Sequence, residues 1–145
     1  MRVDRVFVDT NVLVYAHNAD ADNKHLVAKQ RLLHLWESGK GVLSIQVLQE
    51  LYVTLTRKLP KPLDRATARE IVRNYAPWLC DPASAELLLR ASEIEELHRL
   101  SFGDALILAA AHQAGATILL SEDLSDGQIV EGVKIENPFR STGSK

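Results

Sequence analysis

The stretch Val6-Phe7-Val8-Asp9-Thr10-Asn11 sets the plan of the chain, because it joins a short apolar run to a carboxylate where the chain changes direction. The β-branched and aromatic residues before Asp9 predict a buried strand, and a helix is predicted to begin at Asn11. Asp9 then lies at the carboxyl end of the strand. In parallel α/β sheets ligands bind at this edge, and a neighbouring helix N-terminus favours an anion. Asp9 is therefore a candidate site residue, and the alternative is that it only caps the helix.

Composition limits the class of protein. The chain has 145 residues, of which 46% are hydrophobic and 25% are charged, as expected for one globular domain with its own core. The sequence contains no apolar run of the roughly 18 residues that cross a bilayer and no secretory signal pattern. We therefore expect a cytoplasmic protein without a membrane segment. The single cysteine, Cys80, cannot form an internal disulfide, and no cluster of cysteine and histidine has zinc-binding spacing.

Charge is distributed unevenly along the chain, although the net charge is only −2. Between residues 54 and 73 six basic side chains accompany two acidic ones, whereas between residues 83 and 126 two basic side chains accompany eight acidic ones. A basic strip beside an acidic pole suits phosphate binding near a metal ion, and the alternative is two ordinary solvated helix faces. The candidate phosphate-binding residues of the strip are Arg57, Lys61 and Arg65.

Strand and helix patterns alternate along the rest of the chain. After the first strand, further strands are predicted at 42–44, 117–120 and 133–135, with a weaker one at 78–80. Helices are predicted at 23–38, 45–59, 64–75, 81–98 and 101–114, the fourth starting at Asp81 and Pro82. Helices of this length join parallel strands by right-handed crossovers, so the predicted fold is a three-layer α/β/α sandwich with a mainly parallel central sheet. We expect one domain over residues 1–139, with the chain loosening from Asn137 and residues 140–145 forming a tail.

Four carboxylates fall at one edge of this predicted sheet. Asp9 and Asp123 follow strands, Glu50 lies two turns into the helix after the second strand, and Asp104 lies in the first turn of an apolar helix. Four acids at one edge repel one another strongly unless a cation neutralises them. Because oxygen-only ligands select hard divalent cations, the pattern predicts a site for Mg²⁺ or Mn²⁺.

Each of these later acids also has a purely structural alternative. Glu50 shares a helix face with Arg57 and would form an exposed pair with it. Asp104 is the fourth residue of a capping box that begins at Ser101. Asp123 lies in a turn-forming stretch, where an aspartate often bonds its own backbone.

Four motifs in this order, with a fifth after them, resemble the PIN-domain family, and in particular the toxin ribonucleases of bacterial VapBC-type toxin–antitoxin modules. The motifs are FVDTN (7–11), QVLQELY (46–52), LSFGDALILAAA (100–111), ILLSEDLSDG (118–127) and the later VKIENPF (133–139). The resemblance implies that Asp9, Glu50, Asp104 and Asp123 form an acidic metal site, supported by the polar side chains of Thr10, Asn11 and Ser121. It leaves open whether Glu122, Asp123 or Asp126 faces the metal.

The activity that the resemblance implies is metal-dependent hydrolysis of RNA phosphodiester bonds by the toxin of a type II toxin–antitoxin module. It also implies a homodimer and a cognate antitoxin. Apolar residues on the helices around Leu26 to Trp36 and Leu48 to Leu59 exceed what a core of this size needs, which agrees with association.

Other α/β enzyme classes fit the sequence less well. A dinucleotide-binding fold needs a glycine-rich turn after the first strand, and the chain has none. Phosphotransferases of the haloacid dehalogenase type and proofreading exonucleases have an acid at the position of Asn11. The alternative from another class is a non-catalytic PIN-like module that binds RNA or protein.

Overall fold

Five short strands form the central sheet of the protein. The computed structural model describes residues 4–80 and 84–140. The strands are β1 (Arg5–Val8), β2 (Gly41–Val42), β3 (Ala116–Leu120), β4 (Ile129–Val130) and β5 (Val133–Glu136). Their order across the sheet is β2-β1-β3-β5-β4, with every pairing parallel except that between β4 and β5. The predicted mainly parallel sheet is confirmed, and the two-residue strand β4 is an addition that the sequence pattern did not predict.

In the part of the chain that the structure describes, six α-helices flank this sheet, as the three-layer prediction requires. They are α1 (Thr10–Ala16), α2 (Asn23–Ser38), α3 (Ile45–Val53), α4 (Arg65–Tyr75), α5 (Ala85–His98) and α6 (Phe102–Gln113). Helix α1 packs on α2 and α3, while α5 packs on α6, which contacts β3 and β5. Buried side chains of the sheet and the helices around it form the main core, to which β1 contributes Phe7 and Val8, both wholly buried.

Side-chain caps fix where several helices begin. The hydroxyl of Ser44 accepts a hydrogen bond from the Val47 amide at 3.4 Å, and the Asp64 carboxylate accepts one from the Thr67 amide at 3.1 Å. These caps confirm the predicted starts of α3 and α4, and they satisfy amide groups that the first helical turn leaves unpaired. The bounds of α2 are also those predicted, and the left-handed backbone of Gly39 (φ 71°) ends that helix.

The start predicted for α5 at Asp81 and Pro82 is wrong. The helix begins at Ala85, because the hydroxyl of Ser84 accepts a hydrogen bond from the Leu87 amide at 3.2 Å and caps it there. Asp81 and Pro82 themselves lie outside the described residues. A serine cap three residues further along the chain was sufficient to set the boundary.

The helix predicted from 45 to 59 is not α-helical throughout. Helix α3 ends at Val53 and continues as a π-turn (Thr54–Lys58), closed by a hydrogen bond from the Leu59 amide to the Thr54 carbonyl at 3.2 Å. A π-turn holds one more residue per turn than an α-helix. Side chains after Thr54 are therefore rotated relative to the face predicted from α-helical spacing.

The segment from Trp78 to Cys80 forms a single bridge rather than the weak strand predicted there. Leu43 pairs in parallel with Leu79, through hydrogen bonds between Leu43 and the backbone of Trp78 and Cys80 at 2.9 and 3.0 Å. The Trp78 ring lies directly over β2, since a Cβ atom added to Gly41 would lie 2.8 Å from the indole. Only glycine leaves room for the ring at this position.

Burial distinguishes the two faces of α2 and corrects the prediction that the chain loosens from Asn137. Leu26 and Leu33 of α2 are 64% and 57% exposed, because the buried face of that helix consists of Ala28, Leu32 and Leu35. The chain after β5 is anchored rather than loose, since Phe139 is only 8% exposed. Residues 141–145 of the predicted tail lie outside the described residues. None of the helices described is long and apolar enough to cross a membrane.

Candidate functional site

Asp9 lies at the junction of β1 and α1, on the carboxyl edge of the sheet. Its side chain accepts hydrogen bonds from the Thr10 amide at 2.7 Å and from the Ser121 hydroxyl at 2.8 Å, and only 6% of the residue is exposed. The backbone amide of Asp9 also donates to the Leu120 carbonyl of β3 at 3.0 Å. Asp9 is thus the N-cap of α1, as the structural alternative predicted. Its carboxylate also joins the end of β1 to Ser121, the residue that follows β3.

Burial raises the pKa of Asp9 to about 6, because the ionised carboxylate loses most of its hydration. The hydrogen bonds from Ser121 and Thr10 oppose this effect, and the negative charges of Asp123 and Glu50 add to it. The site therefore carries negative charge that its own hydrogen bonds do not fully compensate. A cation bound among these carboxylates would relieve this cost.

Glu50 of α3 reaches the same edge through Thr10. One of its carboxylate oxygens accepts a hydrogen bond from the Thr10 hydroxyl at 2.9 Å, and the other accepts one from the Gln46 amide at 3.3 Å. Within residues 4–80 and 84–140, neither Glu50 nor Arg57 takes part in an ion pair. The exposed Glu50–Arg57 pair is therefore not formed.

The loop between β3 and β4, called the last loop below, contains three acids. Among them, Asp123 is the one that is hydrogen-bonded to the residues around Asp9. Its carboxylate accepts a hydrogen bond from the Asn11 side chain at 2.9 Å, and its amide donates to the Ser121 hydroxyl at 3.2 Å. Ser121 is wholly buried. Its hydroxyl bonds both the Asp9 carboxylate and the Asp123 backbone amide, and so links the two residues.

The other two acids of the loop have different partners. Glu122 accepts hydrogen bonds from Lys24 and from the Tyr15 hydroxyl, whereas Asp126 accepts one from the Asn137 amide at 2.7 Å.

Asp104 is not joined to the other three acids by a hydrogen bond among the residues that the structure describes. It lies in the first turn of α6, where its amide donates to the Ser101 hydroxyl at 3.1 Å. This bond is the cap half of the predicted capping box. The structure thus links Asp9, Glu50 and Asp123 through shared hydrogen-bond partners and leaves Asp104 in a separate cap.

The oxygen atoms of the candidate ligands suit a hard divalent cation, although the side chains do not surround a common point in this structure. All of the candidate ligands are carboxylate oxygens, which Mg²⁺ and Mn²⁺ prefer. Burial raises the pKa of Asp9, and the negative charges of Asp123 and Glu50 add to this effect. In the described part of the chain, no three acidic, histidine or cysteine side chains converge closely enough to hold a metal ion. Binding would therefore require these side chains to move closer together.

A cleft of about 350 Å³ opens over these residues. It is lined by Thr10, Asn11, Val14, Tyr15, Glu50, Thr54, Lys58 and Asp123. Lys58 is the basic residue among them, and the sequence analysis missed it in favour of Arg57. The π-turn explains the error, because the extra residue brings Lys58 onto the face of Glu50 and Thr54 that α-helical spacing assigns to Arg57. Arg57, Lys61 and Arg65 are exposed and do not line the cleft.

Fold and site together define an α/β protein with carboxylates gathered at the carboxyl edge of a parallel sheet. The family model described as "PIN domain" matches residues 6–125. The chain belongs to the PIN-domain family, whose members are generally nucleases.

Solved structures with the same fold come from toxin–antitoxin systems. VapC20 of Mycobacterium tuberculosis, a toxin that cleaves the sarcin-ricin loop, is 26% identical, covers 81% of this chain and 89% of its own, and has a TM-score of 0.62. A toxin–antitoxin complex from Klebsiella pneumoniae is 18% identical, with coverage of 92% and 98% and a TM-score of 0.66. VapBC2 from Rickettsia felis, bound to a DNA fragment from its promoter, is 21% identical, with coverage of 91% and 97% and a TM-score of 0.61. The last two show similarity of fold alone. The search of curated proteins gave no match.

Proposed function

We propose that this protein is a metal-dependent endoribonuclease acting in the cytoplasm as the toxin of a type II toxin–antitoxin module. Membership of the PIN-domain family and the likeness to VapC20 support the class of reaction and the biological role. The observation that carries the proposal is the hydrogen-bond network in which Ser121 joins Asp9 to Asp123 and Thr10 joins Asp9 to Glu50. Carboxylates held this close together repel one another, and a bound cation would offset that destabilisation.

In this proposal Asp9, Glu50, Asp104 and Asp123 hold the cation. When bound, Mg²⁺ or Mn²⁺ supplies a water of lowered pKa and neutralises charge on the phosphate. Thr10 and Ser121 fix the two oxygens of Asp9, and Thr10 also orients Glu50. The Asn11 amide orients Asp123. Asp104 completes the set when the first turn of α6 approaches the other three acids.

The cleavage experiment compares isosteric variants. Asp9→Asn and Asp104→Asn should each reduce metal-dependent RNA cleavage by at least about 100-fold, because each removes a charged ligand while leaving its shape. Asp126→Asn is the matched control, since it makes the same change in the last loop at an acid that only bonds the Asn137 amide. Cleavage of a sarcin-ricin stem-loop and of unstructured RNA should be measured, with circular dichroism to confirm folding. Full activity in Asp9→Asn would disprove the site. Wild-type cleavage without metal would contradict the metal dependence, and no cleavage by the wild type at any metal concentration would favour a non-catalytic binding module.

The RNA path in this proposal starts at Lys58 and continues along the exposed strip of Arg57, Lys61 and Arg65. Lys58 lies in the cleft with Glu50 and Asp123, where it can neutralise a phosphate next to the cation. Arg57, Lys61 and Arg65 lie outside the cleft and form no ion pair within the described residues, so their charges remain available to solvent and ligands. Contacts to phosphates position the strand and carry no sequence preference.

The path is tested by the salt dependence of RNA binding. Replacing Arg57, Lys61 and Arg65 together with alanine should weaken binding to all RNA sequences and lower the slope of log affinity against log salt by roughly 0.7 per lost contact. A Lys40→Ala, Lys134→Ala double variant removes exposed positive charge elsewhere and should leave the slope close to that of the wild type. If the triple variant keeps the wild-type slope, the strand follows another route.

Association is proposed on the apolar surface of α2. Leu26, Leu33 and Trp36, which are all exposed, line an open groove of about 770 Å³ with His17 and Tyr75, and grouped apolar side chains of this kind are typical of protein–protein contacts. The predicted contribution from the helix around Leu48 to Leu59 is smaller, because Leu48, Leu51 and Leu55 are buried in the core.

We propose a homodimer and a cognate antitoxin as the partners of this protein. Sedimentation at tens of micromolar should show a dimer, and a monomer at that concentration would contradict the assembly. A neighbouring reading frame that encodes a small DNA-binding protein would support the antitoxin.

A further inference from the structure

We propose that Lys24 and helix α1 sort the two adjacent acids of the last loop, directing Asp123 into the acidic cluster and holding Glu122 out of it. Lys24 is then a positioning residue, which limits the carboxylates that reach the cation. This inference rests on the proposed metal-dependent function and assigns a role to residues outside the four-acid site.

The sorting starts on one face of α1. Asn11 donates from its side-chain nitrogen to Asp123 at 2.9 Å and accepts from the Glu122 amide at 3.2 Å. One turn later on the same face, the Tyr15 hydroxyl donates to the Glu122 carboxylate at 2.7 Å. Consecutive turns of α1 thus bind consecutive residues of the loop, and the two carboxylates are held by different side chains.

Lys24 holds the second carboxylate with charge. Its ammonium forms an ion pair with the Glu122 oxygen that Tyr15 does not bind. It also lies 5.0 Å from the centre of the Tyr15 ring and 5.7 Å from that of Phe139. The Glu122 side chain is 23% exposed and the Lys24 side chain 45%, so solvent is partly excluded from the pair on the Glu122 side, and the two aromatic rings cover part of the ammonium.

The end of the described chain supports this arrangement. Phe139 packs edge-on against Tyr15, with ring centres 5.1 Å apart and planes at 80°. Tyr15 is therefore fixed from one side by Phe139 and from the other by Lys24 and Glu122. The anchored segment after β5 helps to determine where Glu122 points.

The physical consequence concerns the number of charged ligands at the metal site. Glu122 is adjacent to Asp123, so a released Glu122 side chain would add one more carboxylate to the acidic cluster. Additional carboxylates strengthen the binding of a hard cation, and they occupy positions that water or a phosphate oxygen needs during hydrolysis. Loss of Lys24 should therefore tighten cation binding while slowing cleavage. Ordinary damage to a metal site would instead weaken both cation binding and cleavage.

The test is a double-mutant cycle with Lys24→Met and Glu122→Gln. The half-saturating Mn²⁺ concentration is measured from the metal-induced rise in melting temperature, and kcat and KM are measured on RNA. Lys24→Met should lower the half-saturating concentration and kcat by about tenfold each, a typical coupling for contacting charged residues. Adding Glu122→Gln should restore both values, because the neutral side chain cannot act as a charged ligand. Lys29→Met, at an exposed position on the same helix, is the matched control.

Two other results would overturn the inference in distinguishable ways. If Lys24→Met lowers the melting temperature equally at every Mn²⁺ concentration and Glu122→Gln does not rescue kcat, Lys24 is only a structural tie between α2 and the loop. If the wild-type protein itself shows neither a Mn²⁺-induced shift nor cleavage, the proposed function fails and the sorting role fails with it.

Discussion

Asp9 and Asp104 occupy similar places in the sequence and different places in the molecule. Asp9 caps α1 and Asp104 lies in the first turn of α6, and each was predicted both as a metal ligand and as part of a cap. Asp9 is buried between β1 and β3, and its carboxylate is bound by Thr10 and Ser121. Asp104 is half-buried, and its amide is bound by Ser101. Both acids lie at helix caps, but only the Asp9 carboxylate is buried against a neighbouring strand and bound by a residue that follows it. This contact with the sheet, more than the cap, fixes the Asp9 carboxylate and removes its hydration.

The largest difference between the two aspartates is expected in how the stability of the metal-free protein depends on pH. Burial raises the pKa of Asp9 to about 6 in the folded protein, from an ordinary value of 3.8. A raised pKa means that protonation favours the folded state, so this contribution is fully present below about pH 4 and is lost as the pH rises through about 6. It amounts to as much as about 3 kcal/mol.

Denaturant unfolding in EDTA between pH 4 and 8 measures this contribution. The Asp9→Asn variant should lose the decrease in stability between pH 4 and 7, whereas Asp104→Asn keeps Asp9 and should keep the decrease. Equal pH profiles for wild type and Asp9→Asn would show that the carboxylate is not the costly group that its burial indicates.

The next difference concerns metal-induced stabilisation at neutral pH. Mg²⁺ or Mn²⁺ at 100 times its dissociation constant should stabilise the wild type by about 2.7 kcal/mol. For a chain of this size that energy raises the melting temperature by roughly 5 to 10 °C.

Asp9→Asn should lose most of this rise in melting temperature, because it removes the carboxylate at the centre of the network. Asp104→Asn should keep part of it, because the other three acids remain linked. Thermal scans against metal concentration make the comparison, and an absent shift in the wild type would contradict metal binding by these acids.

The smallest difference is expected between the two serines. Ser101→Ala removes a helix cap and should cost about 1 kcal/mol of stability at any metal concentration. Ser121→Ala removes the hydroxyl that lowers the pKa of Asp9, so it should shift the pH-dependent loss of stability to higher pH. Unfolding curves at pH 5 and pH 8 separate these effects. A pH-dependent cost in Ser101→Ala would place Asp104 closer to the cluster than its hydrogen bonds indicate.

Much of this architecture was predictable because local signals agreed with the global fold. The apolar run before Asp9 gave β1, and the serine and aspartate caps at Ser44 and Asp64 gave the starts of α3 and α4. Because parallel strands share a carboxyl edge, the position of Asp9, Glu50 and Asp123 at one edge followed from element order alone. Their hydrogen-bond partners Thr10, Asn11 and Ser121 came from motif resemblance rather than from spacing.

The features that the sequence did not predict depend on tertiary contacts. The π-turn places Lys58 in the cleft, and the sequence around it has no turn signal that distinguishes it from an ordinary helix end. The exposed side of α2 carries leucines as large as those of the buried side, so periodicity alone does not distinguish its two faces. Phe139 looked like part of a tail because its partner Tyr15 lies more than a hundred residues earlier.

The lengths of the outer strands restrict how this protein can associate. Both outer strands, β2 and β4, contain only two residues, and the outer side of Leu43 is already bonded to the segment around Leu79. Short or covered outer strands give an incoming chain little backbone to pair with, which protects a sheet from edge-to-edge aggregation. A peptide that binds by adding a strand would gain at most a few main-chain hydrogen bonds on either side. Recognition of this molecule by another protein therefore falls to side chains on its helices.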